Sequence, residues 1–191
     1  MDHVIQNNLF IIPVSEKSLW LRYHHLFRDF LQAAVQKNRP EDAHKIKLDL
    51  TPYFRANGNW EKVFEIYDSL GEKEAIAELV GSIGSEFIAK GKIRKLSSWI
   101  SIIPKNIYKN DPKLLSIHAS VAANQGKFQE GRELFDRVVE LLRVKSDSLS
   151  LADNLIRRSS ALRVLGNYED AMYDAEEAIS LTQKKHSLNH L

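Results

Sequence analysis

Two adjacent histidines, His24 and His25, are the first residues whose side chains suggest chemistry. An imidazole can bind a metal or act as a general base. A metal needs further ligands at suitable spacing, and a base needs a nucleophile or an orienting carboxylate. No such set of partners is identifiable around the pair, and His44 is distant along the chain. We therefore predict no metal site and no catalytic residue, and we expect the histidines to pack or to cap a helix.

Three other groups of side chains also have a chemical and a structural interpretation. The stretch "KGKIRK" (90–95) could contact nucleic acid, but the acids that flank it favour a solvated turn. The carboxylates of "YEDAMYDAEE" (168–177) are spread around a helix, whereas acid/base catalysis needs them to converge. Trp20, Trp60 and Trp99 could stack on sugars or bases, although at helical spacing core packing is the expected role.

Composition narrows the possible functions. The 191 residues are 43% apolar and 27% charged, which is typical of a globular protein. The net charge is only +2, so we predict no direct contact with nucleic acid. No stretch approaches the roughly 20 apolar residues of a membrane span, and the N-terminus lacks the basic flank of a secretory signal. There are no cysteines, hence no disulfides and no thiolate metal sites, and a cytoplasmic location is expected.

The elements around the histidines can be read from the change of hydrophobic period. "HVIQNN" (3–8) predicts a turn of helix, and "LFIIPV" (9–14) and "LWLRY" (19–23) predict the two strands of a hairpin. From His24 onward the apolar residues follow a helical period, with one face formed by Leu26, Phe27, Phe30, Leu31 and Ala34. The histidine pair therefore lies where a strand passes into a helix.

The rest of the chain contains a repeat. Gly58, Gly91, Gly126 and Gly166 are 33, 35 and 40 residues apart, and each is followed by an apolar stripe at offsets of five, nine and twelve residues. Small residues stand seven positions before each glycine, where a preceding helix would cross its partner: Thr51, Gly84, Ala119 and Ser159. This pattern is typical of tetratricopeptide-like helical hairpins, about four of them here. Pro52 is expected to kink or restart the opening helix of the first hairpin, with Thr51 as its cap.

The first helices of such hairpins line a concave groove. In "NLIRRSSALR" (154–163), Leu155, Ser159 and Leu162 should face the partner helix. We predict that the groove is lined by Arg157, Ser160 and Arg163, together with Ser116, Ser120 and Asn124 one repeat earlier. A ligand or a peptide could bind there, and plain solvation of these side chains is the alternative.

The N-terminal segment resembles a known family. "NLFIIPVSEKSLWLRYHHLFRDFL" (8–31) is similar to the end of the winged-helix segment of MalT-like ATP-dependent transcriptional regulators of the LuxR type. In that family a helical superhelix follows directly, as the repeats do here. The predicted fold is therefore predominantly all-α: residues 1–38 form the C-terminal part of a winged helix with one β-hairpin, and residues 39–191 form tetratricopeptide-like repeats.

The resemblance also implies a function. The chain would be a non-catalytic internal fragment in which binding of a small-molecule inducer, or of a protein or peptide partner, is coupled to a nucleotide-binding module and to self-association. No GxxxxGK[ST] loop is present, so no cofactor is expected in this segment, and ATP would bind a domain upstream of it. The alternative is a free-standing tetratricopeptide adaptor that holds a partner peptide in the groove, where Arg157 and Asn124 could clamp a carboxylate.

Overall fold

The computed structural model describes residues 10–13 and 21–188. These residues form a two-stranded antiparallel sheet followed by ten helices. The chain divides into two compact units, Met1–Ile66 and Tyr67–Leu191. The structure is thus predominantly helical, as the sequence predicts.

The first unit begins with the predicted hairpin. Strands β1 (Ile11–Pro13) and β2 (Leu21–Tyr23) pair with Ile12 opposite Arg22. Helices α1 (His25–Asn38) and α2 (Pro40–Ala56) follow and pack on each other. The predicted helical turn at 3–8 and Trp20 lie outside the described residues.

The histidine pair lies at the predicted junction of β2 and α1. The backbone N–H of His24 donates to the carbonyl of Phe10 at 2.5 Å, and His24 makes no side-chain cap of the helix. The ring centroids of His24 and His25 lie 4.3 Å apart. Asp29, one helical turn beyond His25, pairs with Arg28 at 2.8 Å. The pair is a structural junction formed by backbone hydrogen bonding and ring contact.

The apolar face predicted for α1 is partly exposed: Phe27, Leu31 and Ala34 are half-buried. Leu26 and Phe30 are 65% and 64% exposed, and none of the residues of α1 is buried. Phe27 contributes to a local aromatic group, with its ring 4.9 Å from that of Phe10 and 5.7 Å from that of Tyr23. The period of the apolar residues thus places the helix correctly.

Helix α2 runs through Pro52 without restarting. Proline has no N–H, so it leaves the carbonyl of residue 48, one turn earlier, without its helical donor. The Thr51 hydroxyl donates to that Leu48 carbonyl at 2.8 Å. The expectation that Thr51 caps a new helix is therefore wrong, because its hydroxyl replaces the hydrogen bond that Pro52 cannot make.

The remaining helices are α3 (Trp60–Leu70), which spans the division between the units, α4 (Lys73–Ala89), α5 (Ile93–Ser101), α6 (Lys105–Tyr108), α7 (Pro112–Asn124), α8 (Phe128–Lys145), α9 (Ser148–Val164) and α10 (Tyr168–Leu188). In the second unit α4 packs on α5, α7 on α8, and α9 on α10. These are three of the predicted hairpins. For the first one, the glycine turn between α2 and α3 is present, but the division between the units falls inside α3.

The four predicted glycines all adopt the left-handed conformation that a residue with a Cβ avoids. Their φ angles are +65°, +68°, +78° and +83° at Gly58, Gly91, Gly126 and Gly166. After Gly126, the N–H of Lys127 returns to the Ala122 carbonyl at 3.0 Å, which closes the end of α7. The turn positions of the repeat are thus confirmed.

The predicted stripes form the core of the second unit. Leu96, Phe135, Val138 and Ala178 are buried, and the central cluster of α7 to α10 includes Leu155. Trp99 is buried against Phe87, with 5.3 Å between ring centroids, so its predicted core role is confirmed, while Trp60 is half-buried.

Candidate functional site

The predicted groove residues lie on α7 and α9, the first helices of two successive hairpins. The Ser116 hydroxyl donates to Asn154 Oδ1 at 2.5 Å, and Arg157 Nη1 donates to Ser120 Oγ at 3.1 Å. These two bonds join residues 38 and 37 positions apart, about one repeat. We call Ser116, Ser120, Asn154 and Arg157 the polar seam.

The polar seam also satisfies its own helix backbones. Ser120 Oγ donates to the Ser116 carbonyl, and Asn154 Nδ2 donates to the Ser150 carbonyl, both at 2.8 Å. Ser120 and Asn154 are buried, and each forms one hydrogen bond between the hairpins and one to its own helix backbone.

The other predicted residues lie beside the polar seam. Asn124 is exposed one turn beyond Ser120, to whose carbonyl its Nδ2 donates at 2.8 Å. Ser160 is exposed and donates to the Ile156 carbonyl at 3.1 Å. Arg163 is exposed, and its side chain forms no hydrogen bond or ion pair with the described residues. It is six residues from Arg157, hence about 120° away around α9, so the two guanidinium groups do not converge.

Asn154 is a member of the polar seam that the sequence argument did not assign. It stands twelve residues before Gly166, and the residue twelve before Gly126 is the buried Leu114. A polar residue at a repeat position that is apolar in the neighbouring hairpin is the signal that could have found it.

A second polar group, centred on Arg158, ties three helices together. Arg158 donates through Nε and Nη2 to the two carboxylate oxygens of Asp174 on α10, at 2.7 and 2.6 Å, and through Nη1 to Asp136 on α8 at 3.0 Å. Asp174 is 1% exposed. The Asp174 hydrogen bonds are the main cause of the raised pKa of Arg158. The carboxylates of 168–177 lie on α10 at differing exposure: Glu169, Asp170 and Glu176 are exposed, whereas Asp174 is a buried structural partner.

The basic stretch at 90–95 forms the predicted solvated turn. Lys90 pairs with Glu86 on α4 at 2.6 Å, and Lys92 lies over the ring of Phe87, 4.8 Å from its centroid. Within the described residues no group of three or more histidine or acidic side chains is placed to hold a metal. No helix in that part of the chain is long and apolar enough to cross a bilayer.

The sequence and fold are similar to those of known proteins. Residues 1–43 match the family model of the MalT winged helix domain. The HTH-type transcriptional regulator MalT of Vibrio cholerae is 22% identical over 177 residues, which is 90% of this chain and 19% of that protein. The MalT of Vibrio parahaemolyticus is 20% identical over 132 residues, 69% of this chain and 15% of that protein. The chain thus spans less than a fifth of these relatives.

Two solved structures share the helical fold. MamA matches with a TM-score of 0.58 at 15% identity, over 73% of each chain. BtubC from P. vanneervenii matches with a TM-score of 0.58 at 11% identity, over 97% of this chain and 78% of the other. The chain is therefore MalT-like: residues 1–43 match the MalT winged helix domain, and a tetratricopeptide-like array of helical hairpins follows.

Proposed function

We propose that this chain is a non-catalytic, effector-sensing and protein-interaction module of a MalT-like ATP-dependent transcriptional regulator acting in the cytoplasm. The observation that carries the proposal is the order of its parts. A winged-helix match is followed at once by helical hairpins, and the similarity to the Vibrio cholerae regulator runs through both. ATP would bind a separate domain, and DNA would be contacted elsewhere in the regulator. Residues 1–38 would belong to the winged helix and 39–191 to the repeats.

The coupling would act through the polar seam. An effector or partner segment that reaches Arg157 and Ser160 would compete with the bond from Arg157 to Ser120 and would change how α7 and α9 pack. A ligand shifts a conformational equilibrium only by its difference in affinity for the two states. Binding at this position would favour one packing of the hairpins, and the regulator would then self-associate.

A first experiment tests whether the chain works as part of a regulator. An antibody raised against residues 110–190 is used to blot a lysate of the source cells. The proposal predicts a band several times larger than the 21.9 kDa of this chain. A band at 21.9 kDa would refute it.

Coupling is tested in the full-length product by size-exclusion chromatography with and without ATP. Arg157→Gln should alter the ATP-dependent self-association because it removes the bond to Ser120. Arg163→Gln is the matched control, since Arg163 lies on the same helix and makes no such bond. Equal elution of the two variants and the wild type would contradict coupling through the polar seam.

A free-standing adaptor for a partner peptide is the second candidate. It is supported by Arg157, which is half-buried and, within the described residues, uses only one of its N–H groups. A guanidinium group with free N–H groups can donate two parallel hydrogen bonds to the two oxygens of a peptide carboxylate. The band at 21.9 kDa that refutes the regulator is the result expected for the adaptor.

A further inference from the structure

A cavity of about 260 Å³ lies on a different part of the second unit, between the hairpin of α4 and α5 and that of α7 and α8. Its lining comes from α5, α6, α7 and the beginning of α8, together with the connections between them. The volume is below the roughly 300 Å³ at which drug-sized pockets begin, so its occupant would be a small molecule.

The cavity has an apolar floor. Ile100, Ile103, Val121 and Ala122 line it, and all four are buried. Tyr108 forms a wall, with its ring edge-on to that of His118 at 5.7 Å between centroids. A floor of this kind favours an aliphatic group over a strongly hydrated ion.

The rim of the cavity carries charges that are poorly matched to one another. Glu130 lies 3.6 Å from Lys127 Nζ and 3.8 Å from His118 Nε2, and both distances are longer than a hydrogen bond. Lys105, on α6, forms no ion pair with the described residues. The rim charges of this cavity are thus not consumed by hydrogen bonds to one another.

The balance of charge at the rim is positive. Burial is the largest cause of a lowered pKa at His118. Its Nδ1 is buried and has no hydrogen-bond partner among the described residues, so a second proton there would have no acceptor. With His118 neutral, Lys105 and Lys127 outnumber the single carboxylate of Glu130. The complementary ligand carries one negative charge.

We propose that this cavity binds a small aliphatic monocarboxylate, whose hydrocarbon part lies on the floor and whose carboxylate pairs with Lys105 and Lys127. Glu130 competes with that carboxylate for Lys127 and weakens the binding. The site goes beyond the proposed function and stands whether or not the polar seam senses an effector.

The test is a titration of the full chain with butyrate, monitored through the amide chemical shifts in ¹H–¹⁵N spectra. Butyramide, which has nearly the same shape and no charge, is the comparison. We expect saturable shifts near the cavity with a dissociation constant on the order of 1 mM for butyrate, and binding at least about 10-fold weaker for butyramide. Equal binding of the two compounds, or no saturable shift, would overturn the proposal.

Charge variants supply a second, signed test. Lys105→Gln and Lys127→Gln should each weaken butyrate binding by about 3-fold or more, while Glu130→Gln should tighten it. Lys113→Gln is the control, because Lys113 is an exposed lysine of α7 outside this cavity. All four side chains are on the surface, and circular dichroism checks that each variant is folded. If Glu130→Gln weakens binding, or if Lys113→Gln acts like the cavity variants, the assignment of the site is wrong.

Discussion

Replacing Gly84 with alanine is the sharpest test of how the hairpins pack. A Cβ at Gly84 would lie 2.7, 2.8 and 3.0 Å from Cδ1, Cγ2 and Cγ1 of Ile117 on α7. Alanine would gain about 1 kcal/mol of helix propensity over glycine, but overpacking a buried contact costs typically 1–3 kcal/mol. Three atoms of one branched side chain are affected, two of them next to its Cβ, so a simple swing of the far end cannot relieve the clash.

The three close contacts place the overpacking cost in the upper part of that range, about 2–3 kcal/mol, and helix propensity offsets about 1 kcal/mol of it. We therefore expect Gly84→Ala to lower the free energy of unfolding by about 1–2 kcal/mol. Gly81→Ala is the matched control on the same helix, because its Cβ would lie 3.5 Å from Leu114 Cδ2, an ordinary contact. This control should raise the free energy of unfolding by up to about 1 kcal/mol through helix propensity alone.

The assay is urea unfolding followed by far-ultraviolet circular dichroism. The free energy of unfolding falls by roughly 1–3 kcal/mol per molar urea, so the expected loss of stability lowers the urea concentration at the unfolding midpoint by several tenths of a molar unit or more. Ile117→Ala should lower the free energy of unfolding less in the Gly84→Ala background than in the wild type, because the added methyl group fills part of the space that the shortened side chain leaves. If Gly84→Ala is as stable as Gly81→Ala, then α4 and α7 do not approach each other as the structure shows.

Three further predictions concern polar groups. Asp174→Asn should destabilise the second unit by about 1.5–3 kcal/mol, measured by the same urea assay, because it removes the carboxylate that accepts two hydrogen bonds from Arg158, while Asp136 remains as a counter-ion. The stability of the wild type should fall as the pH drops below about 6.5, because the unfolded chain takes up a proton that His118 resists in the folded state; thermal melts of His118→Gln should lack this part of the dependence. Asn154→Ala should cost about 1–3 kcal/mol, and less in a Ser116→Ala background, as a double-mutant cycle would show.

The sequence was sufficient to predict three hairpins and all four glycine turns. A glycine at φ of +65° to +83° is the residue that such a turn requires, and the stripe after each glycine has the period of one helix face. These are local requirements, and local requirements can be read from spacing alone.

Contacts between successive hairpins were less predictable, because they depend on which neighbour a position faces. Gly84 and Ala119 hold the same place in the repeat, seven residues before the turn glycine. Ala119 is approached by Gly131 of its own hairpin, where an added Cβ would lie 3.2 Å from the Ala119 carbonyl oxygen, whereas Gly84 is approached by Ile117 of the next hairpin. The same position in two repeats therefore requires a small residue in both, but the neighbouring residue that it contacts differs.

The groove was only partly predictable, because it too depends on contacts between successive hairpins. The spacing predicted that Ser116, Ser120 and Arg157 line one groove, but it could not show that Ser120 and Arg157 bond to each other, and Ser116 to Asn154, across two hairpins. A side chain is available to a ligand only to the extent that its neighbours leave it unsatisfied, and that property belongs to the packed structure.

The cavity proposed to bind a monocarboxylate could not have been found from the repeat pattern. Lys105 and Tyr108 lie on α6, a four-residue helix in the connection between two hairpins, and no equivalent exists in the next connection, where α9 begins three residues after α8 ends. An insertion of this kind has no fixed place in a repeat pattern, yet it brings a lysine and an aromatic ring to the mouth of the gap between hairpins. In a stacked array the helices supply similar walls at every step. An irregular connection is therefore the element that can make one gap chemically different from the others.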